Sequence, residues 1–210
     1  MEQPDYTIEV AAQAKGFLRI AGVDEVGRGP LAGPVTAAAV ILDVSQIPEG
    51  LNDSKKLSAK KRNAVEGQIL EKTAWAVAHA SVEEIDEHNI LRASHLAMER
   101  AVAALNPAPD YLLIDGNLIP RGLELPSEAV IKGDGKSLSI AAASILAKQA
   151  RDRLMVELAQ QFPGYGWEKN AGYPSKQHRD ALETLGVTPH HRRSFKPVHN
   201  ILYQVRNAAS

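Results

Sequence analysis

Apolar and polar positions along the chain alternate between the period of a strand and the period of a helix. Residues 17–23 are apolar but for Arg19 and run into Asp24-Glu25, which predicts a strand ending on two carboxylates. Gly27, Gly29, Pro30, Gly33 and Pro34 then force a turn, because glycine admits positive φ and proline stops a helix. Residues 35–42 are almost continuously apolar, the pattern of a buried second strand. A polar loop follows to residue 56. Residues 58–72 predict a helix capped by Ser58, and residues 73–81 a third strand. Residues 89–105 place Leu91, Met98, Val102 and Leu105 on one helical face, and Asn106-Pro107 ends that helix. Residues 111–114 predict a strand running into Asp115-Gly116-Asn117. Residues 129–132 predict a fifth, running into Gly133-Asp134-Gly135. Residues 138–161 predict the longest helix, with Ile140, Ala143, Ala147, Ala150, Leu154 and Leu158 as its buried stripe. Short helices are expected near 175–185 and 197–206.

Strands and helices are thus intermixed. The first two strands are close enough in sequence for an antiparallel hairpin, and the later ones follow helices and should pair in parallel. The expectation is an α/β protein with a mixed five-stranded sheet flanked by helices. It reads as a single domain: an irregular lead-in over residues 1–16, a core over 17–162 and a basic C-terminal helical extension over 163–210.

Composition narrows the function. The 210 residues are 44% hydrophobic and 23% charged, which excludes a disordered chain. There is no cysteine, which excludes a disulfide scaffold, thiolate metal sites and a thiol nucleophile. No apolar run approaches the ~18 residues of a membrane span. Acids at positions 2, 5 and 9 are unlike a signal peptide, so a cytoplasmic protein without a membrane partner is expected. The net charge of −1 is unevenly spread: residues 1–136 hold 14 Lys and Arg against 20 Asp and Glu, and residues 137–210 hold 10 against 5. An acidic half joined to a basic half suits a metal site beside a polyanion.

Asp24, Glu25, Asp115 and Asp134 all sit where an apolar run ends. In open α/β sheets the functional crevice lies outside the carboxyl ends of the strands. Neighbouring strands are ~4.8 Å apart, so acids at adjacent strand ends can share one or two divalent ions that relieve their mutual repulsion. Oxygen-only ligation suits Mg²⁺ or Mn²⁺ rather than zinc. Gly27-Arg28-Gly29 lacks both the spacing of a dinucleotide fingerprint and the lysine of a P-loop, but its backbone can approach a ligand closely. Two basic runs, Lys55, Lys56, Lys60, Lys61, Arg62 and His190, His191, Arg192, Arg193, Lys196, fit a groove that tracks a nucleic-acid backbone. Tyr165, Trp167 and Tyr173 lie among basic residues, where aromatic rings stack on sugars or bases or are simply packed. Adjacent histidines point apart, so His190-His191 is a poor metal pair.

The segment Gly22-Val23-Asp24-Glu25-Val26-Gly27-Arg28-Gly29-Pro30-Leu31-Ala32-Gly33 resembles the signature of the bacterial type 2 ribonucleases H. The same holds for Leu51-Asn52-Asp53-Ser54-Lys55-Lys56-Leu57, Leu113-Ile114-Asp115-Gly116-Asn117, Lys132-Gly133-Asp134 and Ala141-Ala142-Ala143-Ser144-Ile145-Leu146-Ala147-Lys148. It extends to Gly172-Tyr173-Pro174 and His191-Arg192-Arg193-Ser194-Phe195, so the matches span about residues 19–198. Ser175 stands where the family more usually has threonine. The resemblance implies a ribonuclease H-like fold. It also implies an Mg²⁺- or Mn²⁺-dependent endonuclease for the RNA of RNA/DNA hybrids and for ribonucleotides embedded in duplex DNA. That enzyme would cut 5′ of the ribonucleotide and leave 3′-hydroxyl and 5′-phosphate ends. By position, Asp24, Glu25, Asp115 and Asp134 would be its catalytic, metal-binding carboxylates. The backbone of Gly27, Arg28 and Gly29 would read the 2′-hydroxyl, Tyr173 would stack on the sugar, and Lys55, Lys56 and Lys148 would contact phosphates. The chemistry would be two-metal hydrolysis, with no dedicated protein base, carried out by a monomer.

Overall fold

A computed structural model describes residues 3–207, with side chains described through Tyr203. The apolar runs become the expected strands: β1 (Ile20–Val26), β2 (Val35–Ile41), β3 (Ala74–Ala80), β4 (Tyr111–Asp115) and β5 (Ser127–Val130). They form one sheet in the order β3-β2-β1-β4-β5. β1 and β2 pair antiparallel, Ala21 opposite Ile41 through Val26 opposite Thr36. β4 lies parallel to β1, with Ile20 beside Tyr111 and Val23 beside Ile114. β5 lies parallel to β4, although residues 116–126 join them without a helix. Strands β1 and β2 are buried on both faces, which is why they read as unbroken apolar runs.

The helices are α1 (Thr7–Ala14), α2 (Ala59–Lys72), α3 (Val82–Ala103), α4 (Leu138–Gln161), α5 (Trp167–Asn170), α6 (Lys176–Leu185) and α7 (Lys196–Asn207). Ser58 caps α2 by accepting from the Lys61 amide, as its sequence predicts. α3 is broken at Asn89, whose φ is 68°. The Asn89 side chain accepts from the amides of Leu91 and Arg92, so it starts the segment that the pattern placed there. No helix among the described residues is long and apolar enough to cross a membrane.

The chain divides into two compact units. The first takes residues up to Val26, Thr36–His79 and Ser94–Ala150; the second takes Gly27–Val35, Ala80–Ala93 and residues from Arg151 on. One of the breaks between the units falls inside α4, between Ala150 and Arg151. In the first unit, Ala38, Val40, Leu42, Leu51, Val65 and Ile69 pack against α4 residues from Ala141 to Ala147. Burial there is not the expected stripe. Ala141, Ala142, Ile145 and Leu146 are buried too, while Ala150 and Leu154 are only half-buried, because the first turns of α4 are enclosed on every side. In the second unit, Ala32, Met155, Leu158, Tyr165, Trp167 and Ala181 form one cluster, and Leu31, Leu182 and Val198 another.

The lead-in is not irregular. α1 carries Glu9, fully buried, whose Oε1 accepts from the Ser137 hydroxyl (2.6 Å), the Ser139 amide (2.9 Å) and the Ser139 hydroxyl (2.7 Å). A carboxylate at the start of α4 meets the positive end of the helix dipole. The Asp5 amide donates to Lys136 O and its carbonyl accepts from the Leu138 amide, so the lead-in is laced to the segment that follows Asp134. Glu9→Ala is expected to destabilise the fold by about 2 kcal/mol, since three donors lose their acceptor inside the protein. Urea denaturation measures this directly, and an unchanged midpoint would remove Glu9 from the structural core.

Candidate active site

The first unit brings the carboxylates together. Register places Val23 beside Ile114, so Asp24 and Asp115 occupy the next step of neighbouring parallel strands. Oxygens of Asp24, Glu25 and Asp115 lie within 4.8 Å of one another. Among the described residues this is the one group of three or more such side chains placed closely enough to hold a metal ion. Asp24 is buried, whereas Glu25 and Asp115 are partly open. Burial pushes the Asp24 carboxyl well above the usual range, and the charges of Glu25, Asp115 and Asp134 push it further.

Asp134 is displaced from the triad. It rides on a 3₁₀ turn, Gly133–Gly135, behind Lys132, whose φ of 56° is left-handed. The turn is tied to the site by the Gly133 amide, which donates to Asp115 Oδ1 at 2.6 Å. Gly133 has no room for a side chain: a Cβ there would lie 2.5 Å from Ile140 Cδ1 and 3.3 Å from Asp115 Oδ1. Burial raises the Asp134 carboxyl, as do the charges of Asp115 and Asp53, while Lys55 opposes them. The Lys55 ammonium sits 3.7 Å from Asp134. Partial burial works against the charge of Lys55, but the fields of Asp134, Asp53, Asp24 and Asp115 outweigh it and its pKa is raised. Lys56 Nζ lies 3.8 Å from where a Cβ on Gly135 would stand. These residues, with Lys132 and Lys136, line an open cavity of about 450 Å³. Lys148 is half-buried on α4.

Two serines complete this arrangement. The Ser144 hydroxyl bonds to the Asp24 carboxylate. Ser54 Oγ lies 3.0 Å from Ser144 Oγ, and both are buried. Asp24 Oδ1 also accepts from the Glu25 amide at 2.7 Å. A buried Asp24 is therefore oriented before any ligand arrives. The available signal for Ser144 was a lone hydroxyl inside the apolar run of α4. A set of carboxylates with no nitrogen or sulfur donor, crowded enough to resist full ionisation, fits a hard divalent cation.

The second unit holds the other expected residues. Gly27 is buried with φ +96°, and a Cβ there would lie 2.3 Å from Arg151 Nε. Arg28 and Gly29 are exposed. A Cβ on Gly29 would lie 3.4 Å from Tyr173 Cε1, so the loop and the half-exposed Tyr173 ring adjoin. The Tyr173 carbonyl is fixed by His178 Nδ1 at 2.9 Å. A carbonyl only accepts, so His178 carries its proton on Nδ1 and accepts at Nε2 from Trp167 Nε1 and from His191 Nε2, each at 3.0 Å. His191 Nδ1 in turn accepts from the Thr188 amide. The network admits two neutral rings. In agreement, burial lowers both histidines, and His178 and His190 help bring His191 down to about 3.

The second basic run is therefore only partly a surface. His191 and Arg192 are wholly buried, because their ring and guanidinium nitrogens serve protein acceptors and donors. In the first run, Arg62 donates to the carbonyls of Ser54 and Leu57 and braces the loop that carries Lys55. Tyr165 and Trp167 are buried and stacked at 5.0 Å, which removes both from stacking on a ligand.

A mixed sheet in this order, with clustered carboxylates at the ends of its central parallel strands, defines a nuclease of the ribonuclease H-like class. The model of the family Ribonuclease HII matches residues 21–198. The chain is 78% identical over 204 residues to ribonuclease HII of Ruegeria sp. (strain TM1040), covering 97% of this chain and 89% of that one. It is 65% identical over 208 residues to ribonuclease HII of Paracoccus denitrificans (strain Pd 1222), covering 99% of each. Among solved structures, ribonuclease H2 from Pyrococcus horikoshii OT3 matches with a TM-score of 0.77 at 27% identity, over 90% of this chain and 99% of that one. The chain belongs to the ribonuclease HII family, and its activity is that of an endoribonuclease on the RNA of RNA/DNA hybrids.

Proposed function

We propose that the protein also incises duplex DNA on the 5′ side of a single embedded ribonucleotide, leaving 3′-hydroxyl and 5′-phosphate ends. The observation that carries the reading is the convergence of Asp24, Glu25 and Asp115 within 4.8 Å, with Asp134 tied to them through Gly133. Those four carboxylates would hold divalent Mg²⁺ or Mn²⁺. When bound, such ions lower the pKa of water and stabilise the leaving 3′ oxygen. The protein's share is to orient and to exclude. Ser144 and the Glu25 amide fix the Asp24 carboxylate, and burial keeps water from its far side. Lys55 offsets the charge of Asp134 and, with Lys56 and Lys148, meets the phosphates flanking the cut. Recognition of RNA falls to the 2′-hydroxyl, the group that DNA lacks. The 27–29 backbone would read it, with the Tyr173 ring beside it as the surface on which the sugar stacks. The absence of a side chain at Gly29 supports this reading, since it leaves the backbone bare next to that ring.

Cleavage of three end-labelled duplexes tests the proposal: one with a single ribonucleotide in DNA, one RNA/DNA hybrid and one all DNA, each with Mg²⁺, Mn²⁺ or EDTA. Metal-dependent incision 5′ of the lone ribonucleotide, with the all-DNA duplex intact, is expected. Cleavage of the hybrid alone would discard the roles given to the 27–29 loop and Tyr173.

A further inference from the structure

Two arginines of the second unit are buried without a counter-ion. Arg151 and Arg192 are both 0% exposed. Among the described residues, every hydrogen bond they make goes to a backbone carbonyl. Arg151 donates from Nε to Pro34 (2.9 Å), from Nη1 to Ala171 (2.8 Å) and from Nη2 to Ala32 (3.0 Å). Arg192 donates from Nε to Gly33 (3.0 Å), from Nη1 to Arg28 (3.0 Å) and from Nη2 to Gly27 (2.6 Å) and Pro34 (3.2 Å). The fields of Asp152 and Asp86 reach them, but among the described residues no carboxylate accepts from either guanidinium. Burial draws Arg151 down to about 10. Burial, and then repulsion by Arg151, draws Arg192 down to about 9, so both stay charged at neutral pH.

A buried charge without a counter-ion is costly, and here only carbonyl dipoles, with the Phe195 ring 5.1 Å from Arg192 Cζ, offset it. What they share is one loop: five residues between Gly27 and Pro34 turn their carbonyls towards the pair. In a trans peptide the C=O and the following N–H point in opposite directions. With the Arg28 carbonyl held by Arg192, the Gly29 amide hydrogen faces away from the arginines, at an exposed residue. At the peptides that follow Gly27 and Arg28 the negative ends of the dipoles are neutralised inward, while their positive ends act outward with the two charges behind them; further along the turn the Leu31 and Gly33 amides are taken by the carbonyls of Gly172 and His190.

We infer that Arg151 and Arg192 are positioning residues for substrate recognition: Arg192 holds the carbonyls of Gly27 and Arg28, and Arg151 packs against Gly27 and holds the far end of the same turn at Ala32 and Pro34, so that the 27–29 amide donors are aimed at a substrate oxygen. This inference rests on the proposed reading of the ribose 2′-hydroxyl by that loop. Lysine keeps the charge but offers its donors from a single point and cannot span the carbonyls of Arg28 and Gly33. Arg→Lys therefore separates the fork from the charge.

The test is binding of fluorescent duplexes by anisotropy in an Asp24→Asn background with Mg²⁺, which leaves out cleavage. One duplex carries a single ribonucleotide and the other a deoxynucleotide at the same position. The parent is expected to prefer the ribonucleotide. Arg192→Lys, and separately Arg151→Lys, should lower that preference about 10-fold with affinity for the all-DNA duplex unchanged. A role confined to stability would weaken both duplexes by the same factor and leave the ratio alone, and that result would overturn the inference. Gly29→Ala is the control for the underlying reading. Loss of preference in Gly29→Ala but not in either lysine variant refutes the positioning role only. A parent without preference, or a Gly29→Ala that keeps it, refutes the reading by the loop itself. If one lysine variant does not fold, the other carries the same comparison.

Discussion

Asp24→Asn is expected to abolish cleavage and, in the absence of metal, to make the protein more stable. The loss should reach at least about 1,000-fold, roughly 4 kcal/mol of transition-state stabilisation, because on the proposed reading a divalent ion would lose its most enclosed ligand. The gain in stability has the opposite origin. Asp24 is buried beside Glu25 and Asp115, and burial followed by their charges raises its carboxyl above the usual range. A group whose folded pKa is raised favours the folded state most when protonated. Its contribution is therefore fully present below the unfolded pKa of about 3.9 and is lost as pH rises through the folded pKa. At neutral pH the metal-free protein bears that cost. Asparagine keeps the oxygen that accepts from the Glu25 amide and removes the charge. A gain on the order of 1 kcal/mol corresponds to about 2–4 °C in Tm for a chain of this size. Scanning calorimetry from pH 5 to 8 with EDTA should show the wild type weakening with pH more steeply than the variant. Added Mn²⁺ should raise the Tm of the wild type and not that of the variant. Near-wild-type cleavage would remove Asp24 from the metal site. An unchanged pH slope would mean that its burial is not what loads the site with strain.

What the sequence disclosed follows from how local each signal is. The carboxylates were legible because each closes an apolar run, and a parallel pair of strand ends can only bring such residues side by side. The bounds of α4 and the cap of α2 were legible for the same reason: helix periodicity and an N-cap serine are written within a few residues. Glu9 was not. An acid near the start of a chain reads as surface, and its partner Ser139 is 130 positions away. Arg192 reads as part of a basic face because charge runs carry no record of burial. Only the fold reveals that carbonyls of residues 27–34 surround it. The glycines of the 27–33 turn were legible as a break, but not the reason for Gly27, whose missing side chain is the space that Arg151 fills.

Gly22 shows how the same local reading can hide a strict requirement. It lies mid-strand in β1, paired with Val40 on one side and Leu113 on the other. Glycine weakens a strand interior unless another backbone comes close. Here one does: a Cβ on Gly22 would stand 2.1 Å from the Ser139 carbonyl carbon, 2.3 Å from the Ile140 nitrogen and 2.5 Å from the Ser139 oxygen. These are backbone atoms of the first turn of α4, which cannot rotate away as a side chain would. Gly22→Ala must therefore part β1 from α4, at a cost of about 3 kcal/mol or more. That is roughly 6–12 °C in Tm. The displacement also has a direction. Gly22 and Asp24 leave β1 on the same face, and Ser144 lies about one turn beyond the contact on α4. Pushing the helix off the strand withdraws the Ser144 hydroxyl from Asp24, so the fraction that remains folded should bind Mn²⁺ more weakly than the wild type. Gly67, on the exposed face of α2 with nothing within 4 Å of its added Cβ, is the control. Gly67→Ala should stabilise by about 0.5–1 kcal/mol through helix propensity alone. Thermal melts and Mn²⁺ titration of the two variants side by side decide the matter. Equal melting temperatures would show that β1 and α4 are not in backbone contact at Gly22, and a destabilised Gly22→Ala with unchanged Mn²⁺ affinity would show that Ser144 does not orient Asp24.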